Sequence, residues 1–240
     1  MGVEEVERMM RLVDDASVAL IGAAAAMSDT ECREPSRLPG WSRGHVLTHV
    51  ARNADALVNL LTAARTGNSV PMYASPEARD ADIETGADRP AGELVADLRE
   101  STARLQEAVE ALGAGGDWQA VVEWRRGRRR PIADVPRARL TEVALHHVDL
   151  GSGFELDDLA DPVADALIAE SLARLRSLPE APAVAVRPAG ASSSTSTSDT
   201  SEEVVVVTGS RAALVGWLTG RAEAAGLEAD GPLPELAAWG

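Results

Sequence analysis

Gly44-His45-Val46-Leu47-Thr48-His49, taken with Thr141-Glu142-Val143-Ala144-Leu145-His146-His147, is the pair of segments that decides the fold. Glu142 and His146 are four residues apart, so on an α-helix both side chains leave one face. His45 and His49 repeat that spacing. Together the two segments hold all four histidines of the chain. A lone histidine on a helix is ordinarily a packing or surface group. The whole inventory, set at helical spacings beside a carboxylate, points instead to two helices that meet around a metal. One ligand from the first helix and two from the second give His, His and Glu about a zinc-like ion. That leaves a coordination position for water or substrate, as reactive zinc sites require.

Working outward, Ser42 in Pro39-Gly40-Trp41-Ser42-Arg43 is suited to cap a helix that runs to about residue 65, which sets His45 and His49 in its first two turns. Thr66-Gly67-Asn68 ends it. Residues 3–27 are apolar at helical intervals and finish in a run of alanines, and residues 91–112 are another long periodic segment. The segments 28–41 and 71–76 read as loops, and 77–85 as a short helix. Residues 136–150 form the fourth long helix, stopped by Gly151. Four helices with ligands projecting inward are an established way to build a metal site.

Past residues 151–160 the pattern changes, and the domain boundary belongs there. Residues 161–178 read as an amphipathic helix, Ala183-Val184-Ala185-Val186 as a short strand, Glu203-Val204-Val205-Val206-Val207 as a β-branched strand, and 211–225 as a last helix. Between the strands, Gly190-Ala191-Ser192-Ser193-Ser194-Thr195-Ser196-Thr197-Ser198 is too polar to pack. It reads as a mobile loop inside a small α/β domain, because neither flanking strand is stable alone.

Composition narrows the function. A chain of 240 residues, 45% of them hydrophobic, can bury a sizeable core and reads as a soluble globular protein. No run approaches the roughly 18 apolar residues of a membrane span. The acidic opening Met1-Gly2-Val3-Glu4-Glu5 is the opposite of a secretory leader, so the expected location is the cytoplasm. The single cysteine, Cys32, cannot form an internal disulfide, which agrees with a reducing compartment. In the loop Ser28-Asp29-Thr30-Glu31-Cys32-Arg33-Glu34 the neighbouring acids raise a thiol's pKa, so Cys32 is a poor nucleophile. A net charge of −15 argues against nucleic acid as a partner. The local exception is Arg125-Arg126-Gly127-Arg128-Arg129-Arg130-Pro131, which reads as a solvated turn between two short extended stretches, with a grip on an anionic ligand as the alternative.

Three segments carry a resemblance. Leu38-Pro39-Gly40-Trp41-Ser42-Arg43-Gly44-His45-Val46-Leu47-Thr48-His49-Val50-Ala51-Arg52-Asn53-Ala54, then Pro71-Met72-Tyr73-Ala74-Ser75-Pro76-Glu77-Ala78-Arg79, then Glu142-Val143-Ala144-Leu145-His146-His147-Val148-Asp149-Leu150 resemble the mycothiol-dependent maleylpyruvate isomerases, in the same order and over nearly the whole chain. The resemblance implies an α plus α/β fold: a DinB-like four-helix metal-binding bundle over residues 1–155 and a smaller C-terminal α/β domain over 156–240. It implies zinc ligands at His49, Glu142 and His146, which makes His45 a neighbour of the site, although His45 and His49 could also chelate together. His147 points about 100° away around the helix and reads as structural. Asn53 and Asp149 are placed to orient ligands or simply to serve as surface and capping groups. The Ser/Thr loop aligns with nothing in that family.

The implied reaction is cis to trans isomerisation of maleylpyruvate to fumarylpyruvate in the breakdown of aromatic acids through gentisate. A C=C bond cannot rotate until it loses double-bond character. A thiolate that adds to the activated alkene creates a single bond, and elimination after rotation returns the thiol. The thiol is mycothiol, a cofactor, so a chain with one poor cysteine can still run thiol chemistry, and zinc can hold sulfur as thiolate at neutral pH. The substrate carboxylates need cations. The resemblance places Arg79 and Arg221, the latter in Leu218-Thr219-Gly220-Arg221, around the substrate, and an arginine fork binds a carboxylate bidentately. Because Arg221 belongs to the C-terminal domain, the expected site lies in a cleft between the domains. Two other readings compete: a mycothiol S-transferase acting on another electrophile, and a non-enzymatic DinB-like metal-binding protein.

Overall fold

The structure is a computed structural model that describes residues 2–178, 180–197 and 204–237. The chain divides into two compact units, Met1–Phe154 and Glu155–Gly240.

The first unit is built on four long helices: α1 (Val3–Ala25), α3 (Arg43–Thr66), α5 (Ala91–Leu112) and α6 (Val135–Asp149). α3 packs on α5 and α6, and α1 packs on the same two helices. Leu57, Leu60 and Leu61 of α3 are buried with Leu105 of α5, and each such side chain removed from water contributes roughly 1.5–3 kcal/mol. Toward the other end, Leu20, Val46, Leu47, Val50, Leu94, Leu98 and Val143 form a second apolar cluster. α3 starts at a capping box. The Ser42 hydroxyl accepts from the backbone N–H of His45, and the Ser42 backbone N–H donates to Nδ1 of the His45 ring. Gly67 ends the helix in the left-handed conformation.

Two short helices complete the unit. α2 (Asp29–Arg33) stands where a loop was expected: Ser28 and Glu31 form a capping box, and a buried Cys32 anchors the turn in the core. α4 (Pro76–Ala87) runs two residues past the expected end, from a Ser75 cap. It lies very close to α3. A Cβ at Gly44 would stand 2.1 Å from the Ala87 carbonyl oxygen, and one at Gly86 2.5 Å from the Thr48 methyl group. Glycine at both contacts lets α4 approach, which brings Arg79 to the first turns of α3. β1 (Val121–Glu123) and β2 (Arg129–Pro131) form an antiparallel hairpin with the arginine run at its tip.

The second unit carries α7 (Asp161–Arg176), α8 (Arg211–Thr219) and a four-stranded sheet in the order β4-β3-β5-β6. β3 (Val184–Pro188) and β5 (Val205–Gly209) pair in parallel, with Val184, Val186 and Val207 buried. β4 (Thr195–Ser196) and β6 (Glu228–Ala229) flank them antiparallel. The serine and threonine segment is therefore not simply a loop. Its end adds an edge strand to β3, and the Thr197 hydroxyl accepts from the Val184 N–H at 2.9 Å and donates to the Pro182 carbonyl at 2.8 Å. Polar residues fold there because the strand edge satisfies their backbone and hydroxyl groups. Ser198 and Glu203 lie outside the described residues. α8 is shorter than the expected 211–225 because Gly220 closes it in the left-handed conformation.

Candidate metal centre

His49 from the second turn of α3 and Glu142 and His146 from one face of α6 converge inside the first unit. One donor atom from each lies within 4.8 Å of the others. His49 Nε2 is 2.9 Å and His146 Nε2 3.3 Å from the same Glu142 oxygen, Oε2. The two imidazoles meet edge to face, with centroids 4.8 Å apart. Tetrahedral zinc with bonds of about 2.0–2.2 Å needs donor separations of roughly 3.3 Å, so this set fits the ion with little side-chain movement. The His49 side chain is 9% exposed, whereas that of Glu142 keeps 31%.

The electrostatics follow from burial and pairing. Burial pushes the His49 imidazole below its ordinary pKa, and the Glu142 carboxylate only partly restores it. Burial also opposes charge on His146, but Asp149 and Glu142 outweigh it and raise that group. Glu142 loses solvation too, yet the hydrogen bonds from His146 and His49 hold its carboxyl well below the usual carboxylate range. The carboxylate is ionised and already aimed at the position of a cation.

Neighbouring groups fix the rings. His146 Nδ1 donates to Asp149 Oδ2 at 2.8 Å, which turns Nε2 toward the centre. Trp41 meets His49 edge-on at 5.4 Å. Arg79 Nη2 lies 3.2 Å from His49 Nδ1, its Nη1 pairs with Asp80 at 2.7 Å, and its guanidinium sits 5.8 Å over the Tyr73 ring. Burial pushes the Tyr73 phenol up, so it stays protonated and able to donate.

The other residues singled out in the sequence go elsewhere. His45 does not join the cluster: its Nδ1 serves the Ser42 cap, its Nε2 meets Glu84 at 3.2 Å, and its ring stacks on Trp41. His147 turns away and stacks on Phe154 with centroids 3.9 Å apart. Asn53 holds no ligand, since its Oδ1 accepts from Arg139 at 3.0 Å. Arg221 sits in the second unit, just past α8, where its Nη1 donates to the Thr219 carbonyl at 3.3 Å. Sequence reasoning missed two groups at the centre's border. One is Tyr73, the only tyrosine in the chain, and the other is Arg139, on α6 three residues before Glu142.

Cys32 is 1% exposed, and burial first, then Asp29 and Glu31, push its thiol up. It is a small core residue in a thiol's poorest setting. Cys32→Ala should leave turnover within about twofold of wild type and cost only on the order of 1 kcal/mol of stability. Activity that vanished in this variant would make the protein's own sulfur the nucleophile.

Comparisons with known proteins give matches to one family. The family model described as the mycothiol maleylpyruvate isomerase N-terminal domain matches residues 13–151. Two crystal structures of mycothiol-dependent maleylpyruvate isomerase, one of a variant with a histidine replaced by alanine, superpose with a TM-score of 0.84. Each is 29% identical to this chain, and the match covers 100% of both chains. No curated protein matches the chain.

Proposed function

The chain belongs to the mycothiol maleylpyruvate isomerase family, and we propose that it is a zinc- and mycothiol-dependent cis-trans isomerase that converts maleylpyruvate to fumarylpyruvate. The observation that carries this reading is the convergence of His49, Glu142 and His146 within 4.8 Å. Zinc bound there supplies a Lewis acid that keeps a thiol deprotonated near neutral pH, and mycothiol supplies the thiol whose reversible addition frees the C=C bond to rotate.

The chain's own groups then have defined tasks. His49, Glu142 and His146 hold the metal, and Asp149 keeps His146 in the tautomer that offers Nε2. Arg79 has a second role. It donates to His49 Nδ1 only while that atom is unprotonated. With Nε2 of His49 given to a metal, its proton would sit on Nδ1, so Arg79 Nη2 would no longer donate there and would be available to a substrate carboxylate. The neutral Tyr73 hydroxyl beside it is a donor for the oxygen that gains charge during addition. Arg221 is carried over from the family resemblance as a further cation for the substrate.

The direct test supplies the purified protein with zinc, mycothiol and maleylpyruvate and follows the trans product. Formation that needs both thiol and metal supports the reading, and none under saturating conditions overturns it. In the same assay Arg79→Lys and Arg221→Lys should each lose tenfold or more in kcat/KM, about 1.4 kcal/mol, because an ammonium cannot make two parallel bonds to a carboxylate. Wild-type kinetics in either variant would remove that arginine from the site.

A further inference from the structure

The arginines at positions 125, 126, 128 and 129 of the hairpin are exposed, as a solvated turn requires, and three of them also line a cavity. A cavity of about 500 Å³ lies in the first unit between the end of α3, residues 67–76, the start of α4 and the β1–β2 hairpin. Arg79, Arg125, Arg126 and Arg129 all line it, together with Tyr73 and a single carboxylate, Glu123. The nearby ion pairs join Arg79 to Asp80 and Arg130 to Asp134, and among the described residues none reaches Arg125, Arg126 or Arg129. In a chain of net charge −15, three lining guanidinium groups with no ion pair among the described residues stand out. Burial, and then the cations of Arg79 and Arg126, push the Arg125 group down from its ordinary value, against a weaker pull from Tyr73 and Asp80.

The backbone gives an independent sign. Arg126 has φ 63°, the only positive φ at a non-glycine position among the described residues, and Gly127 follows at φ 71°. Glycine at 126 would relieve the strain but would also remove the guanidinium. Outliers of this kind concentrate at ligand sites. The cavity also borders the metal centre through shared side chains: Arg79 lines it while touching His49, and Tyr73 lines it beneath Arg79.

We propose that Arg125 and Arg126, with Arg79, form the subsite for the carboxylate end of a small linear dicarboxylate whose reacting carbons lie at the metal centre. This deepens the isomerase reading and rests on it. Maleylpyruvate carries a carboxylate at each end, so one must be held away from the reacting double bond. Arginine forks converging on a cavity suit that end better than lysine would.

The test uses the full-length, zinc-loaded protein, with steady-state kinetics on maleylpyruvate and calorimetric titration with maleate in the absence of thiol. Arg125→Ala and Arg126→Gly should each raise KM and the maleate Kd about tenfold while kcat and zinc content stay within twofold, as loss of one charged hydrogen-bonding group predicts. Arg126→Gly should unfold no earlier than wild type, so a binding loss in it is not a folding defect. Arg128→Ala removes the same charge from an exposed position on the hairpin that does not line the cavity, and should change neither constant. Unchanged maleate binding in the Arg125→Ala, Arg126→Gly double variant overturns the subsite, as does an equal effect of Arg128→Ala. Isomerisation with wild-type KM in the variants removes the subsite and keeps the enzyme. Arginine-dependent maleate binding without isomerisation by wild type keeps the subsite and removes the reaction.

Discussion

His49→Ala, Glu142→Gln and His146→Ala should each lose the metal and the activity together, with turnover falling on the order of a thousandfold, equivalent to about 4 kcal/mol of transition-state stabilisation. The size follows from the geometry. Three donors within 4.8 Å can chelate an ion, and removing one would leave two side chains that no longer enclose it. Asp149→Asn should be milder, about 10- to 100-fold in zinc affinity, because it disturbs only the ring that Asp149 orients. Acidification should act in the same direction. Both imidazoles face the Glu142 oxygen through Nε2, so a proton on either Nε2 occupies the lone pair a metal would use, and protons compete with zinc. His146 gains protons at higher pH than an ordinary histidine, and zinc affinity should therefore weaken steadily from pH 8 to pH 6. Metal analysis after dialysis, paired with turnover, is the measurement. Full zinc occupancy and wild-type turnover in any of the three variants would sink the site. His147→Ala should keep its metal, but its stacked, buried ring makes a stability loss of about 1–3 kcal/mol the expectation.

What the sequence made legible is what local periodicity and capping encode. Ser42 announced the start of α3 to the residue, residues 91–112 match α5, and the i, i+4 spacing of Glu142 and His146 placed both on one face of α6. The elements that escaped depend on partners distant in sequence. α2 is five residues long and exists because Cys32 finds an apolar cluster to enter. β4 and β6 are two residues each, too short to carry a pattern, and are defined only by the β3 and β5 edges they pair with. His45 illustrates the limit at the site. Its spacing to His49 is that of a chelating pair, yet as the third residue of its helix it is claimed by the Ser42 cap, an assignment that depends on where the helix begins. The contact of Arg79 with His49 spans 30 residues and rests on the glycine contacts that let α4 lie against α3. No spacing rule reports such a contact.

Arg139 is the largest consequence of that kind, and its replacement should separate stability from function. It lies three residues before Glu142 on α6, is 1% exposed, and donates from Nη1 to the Val50 carbonyl at 2.7 Å and to Asn53 Oδ1 at 3.0 Å. Both acceptors belong to α3, one and four residues past His49. The side chain thus ties together the two helices that carry the His49, Glu142 and His146 cluster, at the level of that cluster. Burial lowers its pKa to about 10, a sign that the interior opposes the charge, and Nε finds no partner among the described residues. Arg139→Ala should be severe, about 3–5 kcal/mol, since it opens a cavity and strands the Asn53 amide oxygen. For a chain of this size that is a drop of roughly 6–20 °C in melting temperature. Arg139→Met fills most of the space without a charge, and an incompletely paired buried cation replaced by an apolar side chain is often neutral or stabilising. Its melting temperature should therefore stay near wild type. Zinc affinity and kcat should nevertheless fall, because methionine packs but cannot fix the register of α6 against α3. If Arg139→Met kept wild-type zinc affinity and turnover, apolar packing alone would set that register. If it unfolded as early as Arg139→Ala, the hydrogen bonds to Val50 and Asn53 would be worth more to the bundle than the buried charge costs it.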